Sequence, residues 1–264
     1  MTELTRDPKA VSAAIDELTK EVPVEIKTVA PSKTEVALPG GYISQEGTLI
    51  KYAEVRELNG ADEEAIAKAG SLARVLNTIL QRGLVSLGDT EVTKSAYDEL
   101  LSGDRDAILL GIRKVTFGST ADYNLVCNKC GETSVVTIDL DKDVPVKELA
   151  NPIEDRTRTV ELRNGNAVVT IPNGRAQTAL MENASKTAAE LNTIILEHCL
   201  LGVNGKGSLG TSTVLKLGIA DRETLVEEIL TDNPGPDLGA VTKTCEACGE
   251  SNETPISLVA LFRL

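Results

Sequence analysis

Two short motifs hold the residues of this chain that are best suited to chemistry. The first is CNKCGE, with Cys127 and Cys130, and the second is CEACGE, with Cys245 and Cys248. Two residues between the thiols let one tight turn direct both sulfurs at a single cation, and the following glycine supplies the backbone angle that such a turn needs. Four thiolates form a closed tetrahedral set, whereas a catalytic zinc keeps one position open. The sequence therefore predicts one structural Zn²⁺ per chain, bound by these four cysteines.

The two knuckles lie far apart in the chain, since 245 − 130 = 115 residues separate Cys130 from Cys245. We favour one zinc shared within the chain, because neither knuckle alone has four ligands and a structural zinc contributes roughly 10–16 kcal/mol in small peptides. One alternative is two metals, each shared with another subunit. A second alternative is disulfide bonding, which the reducing cytoplasm expected for this chain disfavours.

Catalytic patterns are not evident, and we expect no enzyme activity. The segment GVNGKGS, Gly202–Ser208, lacks the order of glycine, lysine and hydroxyl residue found in a phosphate loop. His198 is the single histidine, which we interpret as a partly buried structural residue. The fifth cysteine, Cys199, lies in an apolar helical run and is predicted to be a core residue.

Other landmarks recur after nearly the same interval as the knuckles. The sequence LNTI occurs at Leu76–Ile79 and again at Leu191–Ile194, where 191 − 76 = 115. The pair Asp104-Arg105 recurs as Asp221-Arg222, where 221 − 104 = 117. We interpret the chain as an internal duplication, with units longer than those of solenoid repeats. The alternative is that similar helix and strand patterns merely follow one another.

Composition restricts the classes of function. The 264 residues carry a net charge of −13, which argues against binding of a nucleic-acid backbone or an anionic membrane surface. Aromatic residues make up 2%, so the cores must be aliphatic. We find neither a membrane-spanning run of apolar residues nor the apolar segment of a signal peptide, and expect synthesis in the cytoplasm.

The periodicity of apolar residues predicts an α+β fold made of duplicated helix-plus-hairpin units. Each unit ends in a strand–Cys-x-x-Cys–strand knuckle, and the two knuckles form one zinc ribbon. Residues 1–33 are predicted to form an N-terminal helix and an extended arm, residues 34–141 the first copy, residues 142–157 a linker, and residues 158–264 the second copy.

Several local predictions can be tested against a structure. We expect Asp62 to cap a helix, and the Asp-Arg pairs to cap and brace the helices that follow them. The other local predictions are a hairpin loop at Pro39-Gly40-Gly41, one helix over the apolar stripe Ile66–Leu80, a hairpin turn at Asn164-Gly165, one helix over Ala176–Leu201, a glycine-rich loop at Val203–Gly210 and a closing strand at Ile256–Phe262.

The first copy resembles a known protein family. LPGG at Leu38–Gly41 precedes a strand, and LSGDRDAILLGIRKVTFG at Leu101–Gly118 leads into CNKCGE. These features resemble the baseplate protein family of contractile-tailed phages, described as baseplate hub or tail assembly proteins. Arg105 and Arg113 match the arginines of the family pattern. The resemblance covers residues 34–140 best; the second copy has Ala220 where the pattern has glycine.

The resemblance implies a structural or assembly role without catalytic residues. The leading interpretation is a zinc-stabilised block of the phage tail baseplate that binds other tail proteins in the virion after synthesis in the host cytoplasm. One alternative is a tail assembly chaperone that is absent from the mature particle. Another is a zinc-ribbon regulatory or nucleic-acid module, which the acidic charge disfavours. Homo-oligomer formation is left open.

Overall fold

The computed structural model describes residues 33–207, 210–239, 241–253 and 256–262. The predicted N-terminal helix and extended arm therefore lie outside the described residues, apart from Lys33.

The described chain alternates short β-hairpins with pairs of helices, which makes the fold mixed α+β. The N-terminal half contains β1 (Lys33–Ile43), β2 (Leu49–Arg56), α1 (Gly60–Ala67), α2 (Leu72–Gly83), β3 (Leu84–Leu87), β4 (Thr90–Glu91), α3 (Lys94–Glu99), α4 (Ser102–Phe117), β5 (Thr120–Val126) and β6 (Thr133–Asp139). A connection with β7 (Val146–Lys147) and a 3₁₀ turn (Glu154–Arg156) follows. The C-terminal half contains β8 (Thr157–Leu162), β9 (Gly165–Thr170), α5 (Gly174–Glu182), α6 (Ala188–Cys199), β10 (Leu200–Val203), β11 (Lys206–Gly207), α7 (Thr211–Val214), α8 (Ile219–Leu230), β12 (Gly235–Pro236), β13 (Thr242–Thr244), β14 (Ser251–Glu253) and α9 (Leu258–Leu261).

Two four-stranded antiparallel sheets form the framework of the halves. Their strand orders are β1-β2-β3-β4 and β8-β9-β10-β11. Three two-stranded ribbons complete the pairing: β5 with β6, β13 with β14, and β7 with β12. The ribbon β5–β6 is in register from Thr120 opposite Asp139 to Val126 opposite Thr133, and it ends at the first knuckle.

Both long helical stripes are interrupted, so the predictions of single helices were wrong. Gly70, with φ of +72°, separates α1 from α2, and Ser71 caps α2 by accepting the Arg74 N–H. In the C-terminal half, Thr187 starts α6 with a capping box that includes Glu190. A capping side chain that bonds the first turn of a helix specifies a new start even where apolar spacing continues.

Three predictions of loops or turns also require correction. Pro39-Gly40-Gly41 is not a loop, because β1 continues through it and absorbs the extra residues as a register shift between Ala37 and Tyr42. Leu162 pairs with Gly165, so the turn is Arg163-Asn164, one residue earlier than predicted. Within the segment predicted as a glycine-rich loop, residues 203–207 belong to the β10–β11 hairpin, whose turn residues Asn204 and Gly205 both have positive φ.

Three further side-chain or strand predictions require correction. Asn59 is the N-cap residue of α1, and Asp62 takes part in the cap from the first turn, where it completes a capping box by accepting the Asn59 N–H. The predicted closing strand is the short helix α9. His198 is exposed, whereas Cys199 is buried as predicted.

Three apolar clusters fill the interior. One lies between the first sheet and its helices, and a second lies between the second sheet and its helices. The third combines residues of both halves beneath the two knuckles: Leu110, Ala121, Ile138, Leu140, Val144, Val241, Ile256 and Leu261. This shared cluster positions the two ribbons that carry the cysteines.

The Asp-Arg pair of α4 braces contacts between elements instead of capping its helix. The Asp104 carboxylate accepts the Gly40 N–H from β1 at 2.7 Å, and Arg105 donates to the Tyr97 carbonyl at 2.6 Å. Arg105 also donates through Nε to Gln177 Oε1 at 2.8 Å, which links α4 to α5 of the other half. A buried guanidinium needs such partners, since losing one leaves a desolvated charge.

The predicted linker, residues 142–157, packs on the body of the protein. Within it, β7 pairs with β12, and the Leu149 N–H donates to the Pro39 carbonyl at 3.0 Å. The Arg156 guanidinium donates to the carbonyl oxygens of Gly40 and Gly41. The linker thus contacts the same bulge of β1 that Asp104 holds.

None of the helices in the described ranges combines the length and apolar character that crossing a membrane requires.

Because α4 lies very close to β12, we expect the addition of a single methyl group at this contact to destabilise the protein. A Cβ at Gly103 would lie 1.7 Å from the Pro234 carbonyl oxygen. We expect Gly103→Ala to lower the free energy of unfolding by roughly 1–3 kcal/mol or more, because backbone must move. Urea denaturation measures this change. The control is Gly60→Ala, where a Cβ meets nothing within 4 Å; equal stability of the two variants would contradict the prediction.

The buried Asp104 carboxyl should make the free energy of unfolding depend on pH. Burial raises its pKa to about 6 from the usual 3.8, against the opposing effects of the Gly40 N–H and the Arg156 charge. A raised carboxyl pKa means that its stability contribution is complete below 3.8 and is lost as the pH rises through about 6. Asp104→Asn should therefore reduce the fall in unfolding free energy across this window, measured by urea denaturation at several pH values.

The exposed Glu46→Gln variant serves as the matched control for this measurement. Asp106, whose pKa burial also raises to about 6, should leave a residual slope. Parallel stability curves for Asp104→Asn and the parent protein would refute this role of Asp104.

Candidate metal centre

The two knuckles fold into the same local turn. The Gly131 N–H donates to the Cys127 carbonyl, and the Gly249 N–H donates to the Cys245 carbonyl, both at 2.9 Å. Both glycines have φ of +72°, a left-handed conformation that a residue with a Cβ adopts only at a cost. The glycine after each Cys-x-x-Cys therefore has the backbone role that the sequence predicted.

The four sulfur atoms of the knuckles lie in one cluster. All of them are within 4.8 Å of one another. Cys127 Sγ is 3.6 Å from Cys248 Sγ, and Cys130 Sγ is 3.8 Å from Cys245 Sγ. A tetrahedron with metal–sulfur distances of ~2.3 Å has edges of about 3.8 Å. The cluster therefore fits a four-thiolate metal site, and its spacing is too long for disulfide bonds.

Each half supplies two sulfurs, so the cluster joins chain segments that are distant in sequence. One thiol of each knuckle is buried, Cys127 and Cys245, and the other, Cys130 and Cys248, is exposed. Such a closed set offers no position for a substrate, which suits a structural metal. Among the described residues, this is the single group of three or more cysteine, histidine or acidic side chains close enough to hold a metal ion.

Asn252 is a further residue of the centre, in addition to the four cysteines, and the sequence analysis did not identify it. Its buried side chain accepts the Asn128 N–H at 2.9 Å and directs Nδ2 towards Cys127 Sγ at 3.7 Å. Asn252 therefore ties the second ribbon to the first knuckle. The corresponding residue after the first knuckle is Ser134, so the duplicated pattern gave no signal for an asparagine here.

Ion pairs connect the ribbons around the sulfur cluster. Lys129 of the first knuckle lies 2.8 Å from the Glu250 carboxylate of the second. Lys243 of β13 lies 2.5 Å from the Asp143 carboxylate, which also accepts the Asp139 N–H. The exposed Lys129–Glu250 pair contributes little energy by itself, whereas the Lys243–Asp143 pair is partly buried. Their opposite charges nevertheless favour the observed alignment of the two knuckles.

The electrostatics of the cluster favour a bound cation. The N–H groups of Cys130 and Lys129 point at Cys127 Sγ and lower the pKa of this thiol to about 6. The Glu250 N–H acts in the same direction on Cys248, but the contacts with the sulfurs of Cys130, Cys127 and Cys245 raise the pKa of Cys248 to about 12. Several thiolates this close repel one another unless a cation compensates their charge.

Cys199 stays apart from this centre. It lies in the apolar cluster of the C-terminal half, and burial raises the pKa of its thiol to about 12. A neutral, inaccessible thiol is not a metal ligand, which agrees with its predicted role in the core.

Comparison with known proteins adds one finding. A family model described as T4 bacteriophage base plate protein matches residues 25–254. No curated protein matches the chain, and no solved structure does.

Asn252 provides a test of how the two knuckles are joined. Asn252→Ala should lower the free energy of unfolding by about 1–3 kcal/mol, because the Asn128 N–H would lose its buried partner. Urea denaturation of the metal-loaded protein measures the effect. Ser134→Ala is the matched control, since Ser134 holds the position after the first knuckle that Asn252 holds after the second. An equal response of both variants would contradict this role.

Proposed function

Because the chain belongs to the T4 bacteriophage base plate protein family, we propose that it is a structural or assembly component of a phage tail baseplate. Its role there is that of a zinc-stabilised block which binds other tail or baseplate proteins in the virion. The observation that carries the zinc part of the proposal is the cluster of four sulfurs contributed by both halves. No enzyme activity is included in the proposal, since a closed four-thiolate site offers no reactive position.

The proposed metal site consists of Cys127, Cys130, Cys245 and Cys248, with one Zn²⁺ per chain. The tetrahedral spacing of the sulfurs supports this assignment, and so does the preference of zinc for thiolates. Because each half contributes two ligands, the ion clamps the halves together. The binding free energy then stabilises the arrangement of the halves as well as each knuckle.

We also propose that the two halves are copies of one ancestral unit, with boundaries at residues 34–141 and 158–264 around the connection 142–157. Both halves follow the order β-β-α-α-β-β-α-α before the ribbon with the knuckle. Arg105 donates to the carbonyl of the residue eight positions before it, Tyr97, and Arg222 does the same to Val214. Both arginines also reach the second helix of their own half, at Asn77 and Thr193.

Metal content tests the zinc clamp. We expect elemental analysis of the purified protein to give one zinc per chain, and Cys245→Ser to lose it together with much of the thermal stability. Cys199→Ala is the matched control and should keep the zinc, because this cysteine lies outside the cluster. A half-equivalent of zinc in a dimer would indicate a site between chains. Absence of zinc from the parent protein would refute the clamp.

The place of the protein in the phage is tested separately by mass spectrometry of purified virions and of tail-assembly intermediates. A component of the mature baseplate should be present in both. Presence in the intermediates alone would support the alternative of an assembly chaperone. Binding of nucleic acid by the purified protein would instead favour a regulatory module.

A further inference from the structure

One contact between the two halves, here called the internal joint, lies where α4 and α5 begin. The loop before α4 (Leu100–Ser102) pairs with the segment before α5 (Pro172–Gly174). The Ser102 N–H donates to the Pro172 carbonyl, and the Gly174 N–H donates to the Leu100 carbonyl, both at 2.9 Å. The hydrogen bond from Arg105 to Gln177 stabilises the same contact.

Each side of the internal joint has a counterpart in the other half of the chain. In the proposed duplication, the counterpart of Leu100–Ser102 is Leu217–Ile219 before α8, and the counterpart of Pro172–Gly174 is Leu58–Gly60 before α1. The bonds of the internal joint have no counterpart at these two segments among the described residues. Ile219 is 77% exposed, and Gly60 is exposed as well.

The glycines show the difference between the covered and the open segment. A Cβ at Gly174 would lie 2.2 Å from the Tyr97 carbonyl oxygen, whereas a Cβ at Gly60 would meet nothing within 4 Å. Both glycines follow an asparagine that caps the next helix, Asn173 or Asn59. Gly60 therefore matches Gly174 in its position after a capping asparagine, but among the described residues no segment packs against it as Tyr97 packs against Gly174.

We propose that a second copy of this chain fills the missing contact. The α1 entry surface (Leu58–Glu63) of one copy docks on the α8 entry surface (Leu215–Arg222) of the next, in the geometry of the internal joint. A contact of this kind is heterologous, so it links copies head to tail and closes only if the rotation allows a ring. The inference rests on the proposed duplication and goes beyond the baseplate role.

The charges of the two surfaces complement each other. Glu63 is the counterpart of Gln177, and Arg222 is the counterpart of Arg105. Copying the internal joint therefore brings the exposed Glu63 carboxylate to the Arg222 guanidinium, whose two Nη atoms bind within its own half. A bond between an arginine and a carboxylate joins two opposite charges, whereas only one partner is charged in the bond from Arg105 to Gln177.

Apolar groups are present on both surfaces. The α8 entry surface exposes Leu215 and Ile219. Beside Gly60 lies a pocket of about 410 Å³, whose apolar lining comes from Leu58, Ile66, Phe117 and Phe262. Phe117 is 44% exposed in this pocket, so burial of Leu215 and Ile219 against it would remove apolar area from water and favour association.

Sedimentation velocity of the full-length, zinc-loaded protein tests the proposal, in a concentration series that reaches roughly 100 μM. We expect association that increases with concentration. Gly60→Gln blocks the α1 entry surface with a side chain, and Ile219→Asp places a charge on the α8 entry surface. Each should weaken self-association at least about tenfold. Neither should lower the melting temperature, because Gly60 has open space and an aspartate suits the first turn of α8.

Mixing the two variants distinguishes the proposed interface from a symmetric one. Gly60→Gln retains an intact α8 entry surface, and Ile219→Asp retains an intact α1 entry surface. Their equimolar mixture should therefore recover a 1:1 dimer that neither variant forms alone. Val135→Ser, which changes an exposed apolar residue on β6, is the control and should associate like the parent protein.

Three outcomes would overturn the proposal: a monomeric parent protein throughout the series, a mixture that stays monomeric, or loss of association in Val135→Ser alone. Glu63→Arg provides a second check, since it should weaken association while Glu46→Arg, in the β1–β2 loop, should not. Zinc content and presence in virions do not depend on these results. Failure of the head-to-tail contact would therefore leave the proposed function standing.

Discussion

The meeting of four sulfur atoms within 4.8 Å constrains the rest of this structure. Each knuckle supplies two of them, so the ribbons β5–β6 and β13–β14 must face each other at a fixed distance. The apolar cluster that both halves share beneath the knuckles provides this placement. Thiolates at such distances repel, and a bound cation would convert the repulsion into a link between the halves.

A second constraint lies at the joint between the halves, where buried polar groups and close backbone contacts replace apolar packing. Asp104 and Arg105 are almost completely buried, and their partners come from β1, from α3 and from α5. The glycines at 103 and 174 allow backbone approaches that a Cβ would prevent. These contacts define one geometry, because any shift leaves a charged or polar group without its partner.

Local signals in the sequence predicted the type of most elements but placed several boundaries wrongly. The apolar spacing of Ile66–Leu80 continues across the break at Gly70, so periodicity alone indicated one helix. The short apolar run Ile256–Phe262 is compatible with a strand or a helix, and it forms α9. The bulge at Pro39-Gly40-Gly41 depends on bonds from Asp104 and Arg156, which are distant in sequence.

Reading the chain alone was enough to predict the four cysteines as ligands, the glycine that shapes each knuckle, the α+β class and the recurring order of landmarks. These features depend on residue type and on short-range spacing, which the amino-acid sequence shows directly. Tertiary packing was needed to choose the shared cluster within one chain over a site between chains, to identify Asn252 as the residue that joins the knuckles, and to reveal the joint where α4 and α5 begin. These features arise from packing between segments that are 72 or more residues apart, where bonds such as those from Arg105 to Gln177 and from Asn128 to Asn252 leave no periodic trace in the chain.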